Sequence, residues 1–149
     1  MEFVGNKNEE YDDILPATEL YPALSVTDFQ RQFHFLSNET KESILENMRV
    51  TRIMVNQELL KKVKAHGSLD AMSLAVFGET ETGKTLYTRA VFALTANYLI
   101  ENQLSMNATK DASERQEAVQ AKANSCLVQM RRALDLLVNG VETYCIEVV

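Results

Sequence analysis

From about residue 37 onward the apolar positions recur three and four residues apart, which is the spacing of one helix face. Ser37 or Asn38 is placed to cap a first helix through Glu39, Lys41, Glu42, Ile44, Leu45 and Met48, with acids in the first turn where the helix dipole favours them. The β-branched stretch Val50 to Val55 predicts a break. Asn56 then caps a second helix on which Leu59, Leu60, Val63, Leu69, Met72 and Val76 form a stripe. Gly67-Ser68 divides that helix, because glycine costs about 1 kcal/mol in a helix interior and serine restarts one. A turn over Gly78 to Thr82, with Thr82 as cap, leads into a third helix from about Gly83 to Gln103. Leu86, Ala90, Val91, Ala93, Leu94, Tyr98 and Leu99 face one way and Phe92, Ala96 and Ile100 the other, so this helix belongs in the middle of a bundle or at a subunit interface. After the polar connection Ser105 to Lys110, a long helix runs from about Asp111 to Asn139 on the stripe Val119, Ala123, Cys126, Leu127, Met130, Leu134 and Leu137. Gly140 stands where a left-handed helix cap is expected.

The two ends follow no such period. Residues 1–36 carry Glu2, Glu9, Glu10, Asp12, Asp13, Glu19 and Asp28 with both prolines, Pro16 and Pro22, among scattered large apolar side chains. They form either a solvated tail or an arm that orders on a partner. The last residues are β-branched and alternate, which predicts a short strand whose partner is the arm, a neighbouring subunit or another protein. The fold class is therefore all-α: a bundle of about four helices, 37–142, with an extended acidic N-terminal arm, 1–36, and a C-terminal β-strand, 143–149. Candidate contact residues are Tyr144, Ile146, Val148 and Val149 of the strand, Tyr11 and Tyr21 of the arm, and Arg89 on the central helix. A buried arginine is nearly always paired, so Arg89 is expected to reach an acid on its own or an adjacent subunit.

Charge narrows the function classes. The net charge of -6 over 149 residues argues against gripping a nucleic-acid duplex, which needs clustered Lys and Arg, but suits a path that DNA slides through. Two cysteines and two histidines exclude a disulfide framework and a metal cluster at ligand spacing. Cys126 lies on an apolar stripe with no histidine at a known distance to activate it, and no other catalytic constellation is present. The N-terminus lacks a basic region followed by an apolar run, and Ala90 to Ile100 is too short to span a bilayer. The expectation is a soluble cytoplasmic chain with no membrane partner and no cofactor.

One motif points elsewhere. Gly78-Glu79-Thr80-Glu81-Thr82-Gly83-Lys84-Thr85 fits the phosphate-loop pattern G-x-x-x-x-G-K-[ST], in which Lys84 would meet the phosphates and Thr85 a magnesium ion. Against it, Glu79 and Glu81 put negative charge inside the loop, and no second strand ending in an aspartate is predicted. A small nucleotide- or phosphate-binding protein using Gly78–Thr85 is the alternative reading. A helical regulatory module acting as monomer or dimer is a third.

From roughly Phe33 to Val149 the order of residues resembles the GPL-type head completion proteins of tailed phages. The resemblance is carried by Met48-Arg49-Val50 with Leu59 and Val63, Tyr87-Thr88-Arg89-Ala90-Val91-Phe92-Ala93, Asn107-Ala108-Thr109-Lys110, Met130-Arg131-Arg132-Ala133, Gly140, and Cys145-Ile146-Glu147-Val148-Val149. The chain departs from the pattern at Val141-Glu142-Thr143, where the family carries an arginine. What the resemblance implies is a non-enzymatic adaptor in the virion neck, assembled in the host cytoplasm as a ring of twelve subunits beneath the portal. It would bind the portal protein on one side and a downstream neck or tail-completion protein on the other, with genomic DNA passing through unread.

Overall fold

Three glycines and two hydroxyl side chains divide the helical part of the chain. The computed structural model describes residues 9–36, 38–106 and 113–140. Thr40 accepts a hydrogen bond from the Ser43 N–H and opens α2, Lys41–His66. Gly67, at φ 96°, closes it in the left-handed conformation that glycine adopts without a Cβ clash. Ser68 then caps α3, Leu69–Phe77, by accepting from the Ala71 N–H at 3.0 Å. Gly78, at φ 81°, ends α3, and α4 follows as Thr80–Met106. The last helix, α5, is Ser113–Asn139, closed by Gly140, whose N–H donates to the Leu136 carbonyl at 2.8 Å.

Several boundaries differ from the sequence reading. The run Val50 to Val55 does not break α2, since β-branching weakens a helix only slightly and burial of Thr51 and Val55 outweighs it. Asn56 is therefore mid-helix rather than a cap, and Thr40 replaces the expected Ser37 or Asn38. The central helix begins at Thr80, three residues before the expected start at Gly83, and the Thr82 hydroxyl donates to the Glu79 carboxylate. The division at Gly67-Ser68 and the cap at Gly140 agree with expectation.

The larger correction concerns the N-terminal arm. Residues 9–36 are folded into the core: Leu15, Tyr21, Leu24, Val26, Phe29, Phe33 and Leu36 are all buried. Ile14–Leu15 (β1) pairs antiparallel with Leu24–Ser25 (β2), a two-stranded sheet that the sequence reading did not contain. Ser25 caps the short α1, Val26–Gln32, and a single 3-10 turn follows at His34–Leu36. Phe29 meets Phe92 of α4 edge-on at 5.5 Å, and Tyr21 stacks on Tyr87 at 5.2 Å. Most of the apolar residues without a period are thus core residues delivered by short segments, while Ile14 and Phe35 stay exposed. The predicted strand 143–149 lies outside the described residues.

Helix α4 is the hub. From Ala90 to Ile100 every side chain but the half-buried Tyr98 is buried within one chain, so no subunit neighbour is needed to explain its all-round apolar surface. α2 runs antiparallel to it, as Asn56 to Tyr87, Thr51 to Thr95 and Glu39 to Gln103 record. α5 is antiparallel too, with Asn97 Nδ2 donating to the Ala123 carbonyl at 2.9 Å and Gln120 to Glu101 at 3.0 Å. The Thr51 and Thr95 hydroxyls share a buried hydrogen bond of 2.7 Å, and among the described residues no buried side-chain N or O lacks a partner. Such fully satisfied polar links set the helix register, because a shift would strand them in the core.

Candidate functional site

The phosphate-loop residues are the first candidates, and the fold gives each a different occupation. Thr80 to Thr85 lie in the opening turns of α4, so there is no loop whose N–H groups could converge on a phosphate. The Gly83 N–H instead donates to Ser73 Oγ of α3 at 2.7 Å, and Ser73 donates to the Glu79 carbonyl. A Cβ on Gly83 would stand 2.5 Å from Ser73 Cβ, so this glycine is required by the close approach of two helices. Gly78 is a helix cap. Lys84 lies 3.6 Å from Glu81, and Thr85 is exposed. A surface hollow of about 320 Å³ between the 17–23 turn and the starts of α3 and α4 includes Lys84. Its other charged lining residues are Glu19 and Asp70, which oppose a polyphosphate.

The two tyrosines expected to meet a partner turn inward. Tyr21 is buried, and its hydroxyl donates to the Asn56 carbonyl of α2 at 3.1 Å. Tyr11 is half-buried and packs against the core, its hydroxyl donating to the Glu39 carbonyl at 3.4 Å, while its main-chain N–H and carbonyl bond to Gln30 Oε1 and the Thr27 hydroxyl, each at 2.8 Å. Burial raises the pKa of both phenols, with Glu9 and Glu42 adding to the effect at Tyr11. Arg89 is not buried. It continues the exposed line Glu81, Thr85, Arg89 along α4, so its guanidinium is accessible. Tyr144, Ile146, Val148 and Val149 lie outside the described residues. The thiol of Cys126 is buried among apolar neighbours, which pushes its pKa up and leaves it a poor nucleophile.

Part of the accessible apolar surface lies in and just beyond the stretch where the sequence reading placed a break, while Ile14, Phe35 and Leu74 are exposed on other elements. Ile44, Met48, Thr51, Val55, Leu59 and Val63 form the buried face of α2, and Val50, Ile53, Met54 and Leu60 are exposed on its opposite side. Ile53 is 59% exposed. Arg131 to Glu58 at 3.2 Å, and Lys62 to the Leu137 and Val138 carbonyls at 2.9 and 2.8 Å, hold α5 parallel beside α2. In that register the partly exposed Leu127 lies level with Met54. The signal was in the sequence: with the run 50–55 taken as helix, Val50, Ile53, Met54 and Leu60 fall at helical spacing on a second face.

Among the described residues no helix is long and apolar enough to cross a membrane. No group of three or more His, Cys, Asp or Glu there is placed to hold a metal ion. Compared with known proteins, residues 15–148 match the family model of the phage head completion protein (GPL). No curated protein and no solved structure matches significantly.

Proposed function

The chain belongs to the phage head completion protein (GPL) family and is a bacteriophage virion component, and from that premise we propose that it is a non-enzymatic adaptor of the neck. In this reading twelve copies form a ring beneath the portal protein after DNA packaging. The ring closes the filled head and presents the attachment site for a downstream neck or tail-completion protein. The observation that carries the reading is the family match over nearly the whole chain, from the first core residue Leu15 to Val148.

The chemistry of the surface supports it. A net charge of -6 repels DNA phosphates, so a genome can pass a ring of such chains without being gripped. The exposed outer face of α2 and the accessible Arg89 are surfaces on which protein partners can seat. Nothing in the geometry favours the nucleotide-binding alternative, because its loop is a helix and its second glycine is filled by a serine contact.

The test is mass measurement of the full chain with and without the portal protein, followed by electron microscopy of the assembled neck. A portal-dependent ring with the mass of twelve copies is expected. A persistent monomer that ignores the portal protein removes the proposal.

A further inference from the structure

Asn139-Gly140 is the one Asn-Gly pair in the chain, and the fold sets it at the closing turn of α5. An asparagine followed by glycine is the most open to attack on its own side chain, because glycine has no Cβ to shield the main-chain nitrogen that attacks. Here the fold holds that attack off. The Gly140 N–H, whose nitrogen is the nucleophile, is engaged with the Leu136 carbonyl at 2.8 Å. The Asn139 amide, whose nitrogen is the leaving group, donates to Asp135 Oδ1 one turn back at 2.6 Å. Lys62 of α2 donates to the Leu137 and Val138 carbonyls at 2.9 and 2.8 Å, and so satisfies acceptors that a helix end leaves without partners inside the helix. Asn139 itself is exposed, so water reaches it.

We propose that Asn139 is a site of spontaneous covalent modification, converted to aspartate and isoaspartate at a rate set by local opening of the α5 end, and that Lys62 is the residue that holds this end shut. When the turn opens, hydroxide takes the proton of the Gly140 nitrogen, and that nitrogen bonds to Asn139 Cγ. The Cγ–Nδ2 bond breaks, and Nδ2 leaves with a proton from water as ammonia. Water then opens the five-membered imide at either of its carbonyls, giving aspartate or isoaspartate. One water is consumed and one ammonia released, with no oxidant or reductant. Either product adds a carboxylate at the negative end of the α5 dipole, one turn from Asp135, where like charges repel. Isoaspartate also adds a methylene to the main chain between Leu136 and Gly140, which breaks the register of their hydrogen bond. The change therefore leaves the cap open once it has occurred. This inference concerns the chain's own covalent chemistry and does not depend on the neck reading.

Peptide mapping by mass spectrometry reads the conversion at each asparagine of the full-length chain, aged at mildly alkaline pH in buffer and in guanidinium chloride. Electron-transfer fragmentation separates isoaspartate from aspartate. In denaturant Asn139 is expected to convert before every other asparagine, including Asn124, which precedes Ser125. In the folded chain it is expected to convert measurably but about tenfold or more slowly, because only molecules with the α5 end open react. Lys62→Met keeps the aliphatic stem and removes both bonds to the carbonyls, so it should raise the folded rate at Asn139 about threefold or more and leave Asn124 unchanged. Hydrogen exchange of the Gly140 amide in the unaltered chain measures the opening independently of any variant, and its protection should match the ratio of denatured to folded rates within about threefold. A folded chain that converts as fast as the denatured one overturns the inference. So does a folded chain in which Asn139 stays intact after the denatured chain has fully converted, or another asparagine leading in denaturant. A folded rate unmoved by Lys62→Met removes the role given to Lys62, and an equal rise at Asn124 would mean that the whole chain opens; either result overturns the proposal as stated.

Discussion

Gly83 shows how one residue can satisfy a sequence pattern for a reason unconnected with that pattern. Gly83 completes G-x-x-x-x-G-K-[ST], yet its hydrogen faces Ser73, where a methyl group would be 2.5 Å from Cβ and 2.7 Å from Oγ. Gly83→Ala is expected to destabilise the protein by about 1–3 kcal/mol through this clash, whereas Lys84→Ala and Thr85→Ala on the accessible side should change stability by less than about 0.5 kcal/mol. Denaturant titration of the three variants checks the ranking. Isothermal titration with Mg-ATP should give no saturable heat; tight binding lost in Lys84→Ala would reverse the assignment. Tyr87 is fully buried, stacked on Tyr21, with its hydroxyl 2.6 Å from Asn56 Oδ1, and burial pushes its phenol far above the ordinary value of 10.0. The folded state holds that proton to higher pH than the unfolded chain. Stability from this group is thus whole below about pH 10 and lost as pH rises through the folded value. Between pH 10 and 11 the wild type should lose up to about 1.4 kcal/mol per pH unit more than Tyr87→Phe, measured as the difference in unfolding free energy at each pH.

At the scale of elements, the N-terminal segment and α2 separate propensity from burial. Residues 9–36 have the composition of a solvated arm, yet they lay Phe29 on Phe92 and Tyr21 on Tyr87, closing a side of α4 that α2, α3 and α5 do not cover. Arg52 reaches back to the Pro16 carbonyl at 2.9 Å and Lys41 to Asp13 at 3.7 Å, so the segment is also tied to α2 at two heights. Phe29→Ala should therefore cost about 3–5 kcal/mol, the range for a fully buried aromatic, and lower the thermal midpoint sharply. A change below about 1 kcal/mol would mean that the segment behaves as the detachable arm its composition suggests. In α2 the β-branched run Val50–Val55 reads as a break because propensity penalises it, but Thr51 and Val55 lie in the core, and their burial carries the helix through.

For the whole molecule, the helical class and the order of the main apolar stripes were legible, and the surface was not. The stripes centred on Leu59, Leu94 and Met130 correspond to α2, α4 and α5, and the caps at Gly67, Gly78 and Gly140 follow from glycine at the end of each periodic run. The candidate contact residues fared differently. Tyr11 and Tyr21 turned inward, Arg89 turned outward, and the accessible apolar face on α2 lay in a stretch expected to be a connection. Aromatic residues in an aperiodic stretch carry no local sign of which way they point. Only the position of a partner such as Phe92, 63 residues away in sequence, decides it.

Local order along the chain by itself determined the helical class, the punctuation by glycine and serine, the central place of α4, and, through the order of short motifs, the family. These features depend on neighbours three to seven residues apart, within reach of periodicity and capping rules. Tertiary structure alone decided that the acidic N-terminal segment is part of the core, that Gly83 belongs to a helix contact, and that α2 keeps a second apolar face in solvent. Each of those depends on which distant surfaces meet, and burial against a distant surface outweighs the few tenths of a kcal/mol by which local propensity distinguishes helix, turn and tail.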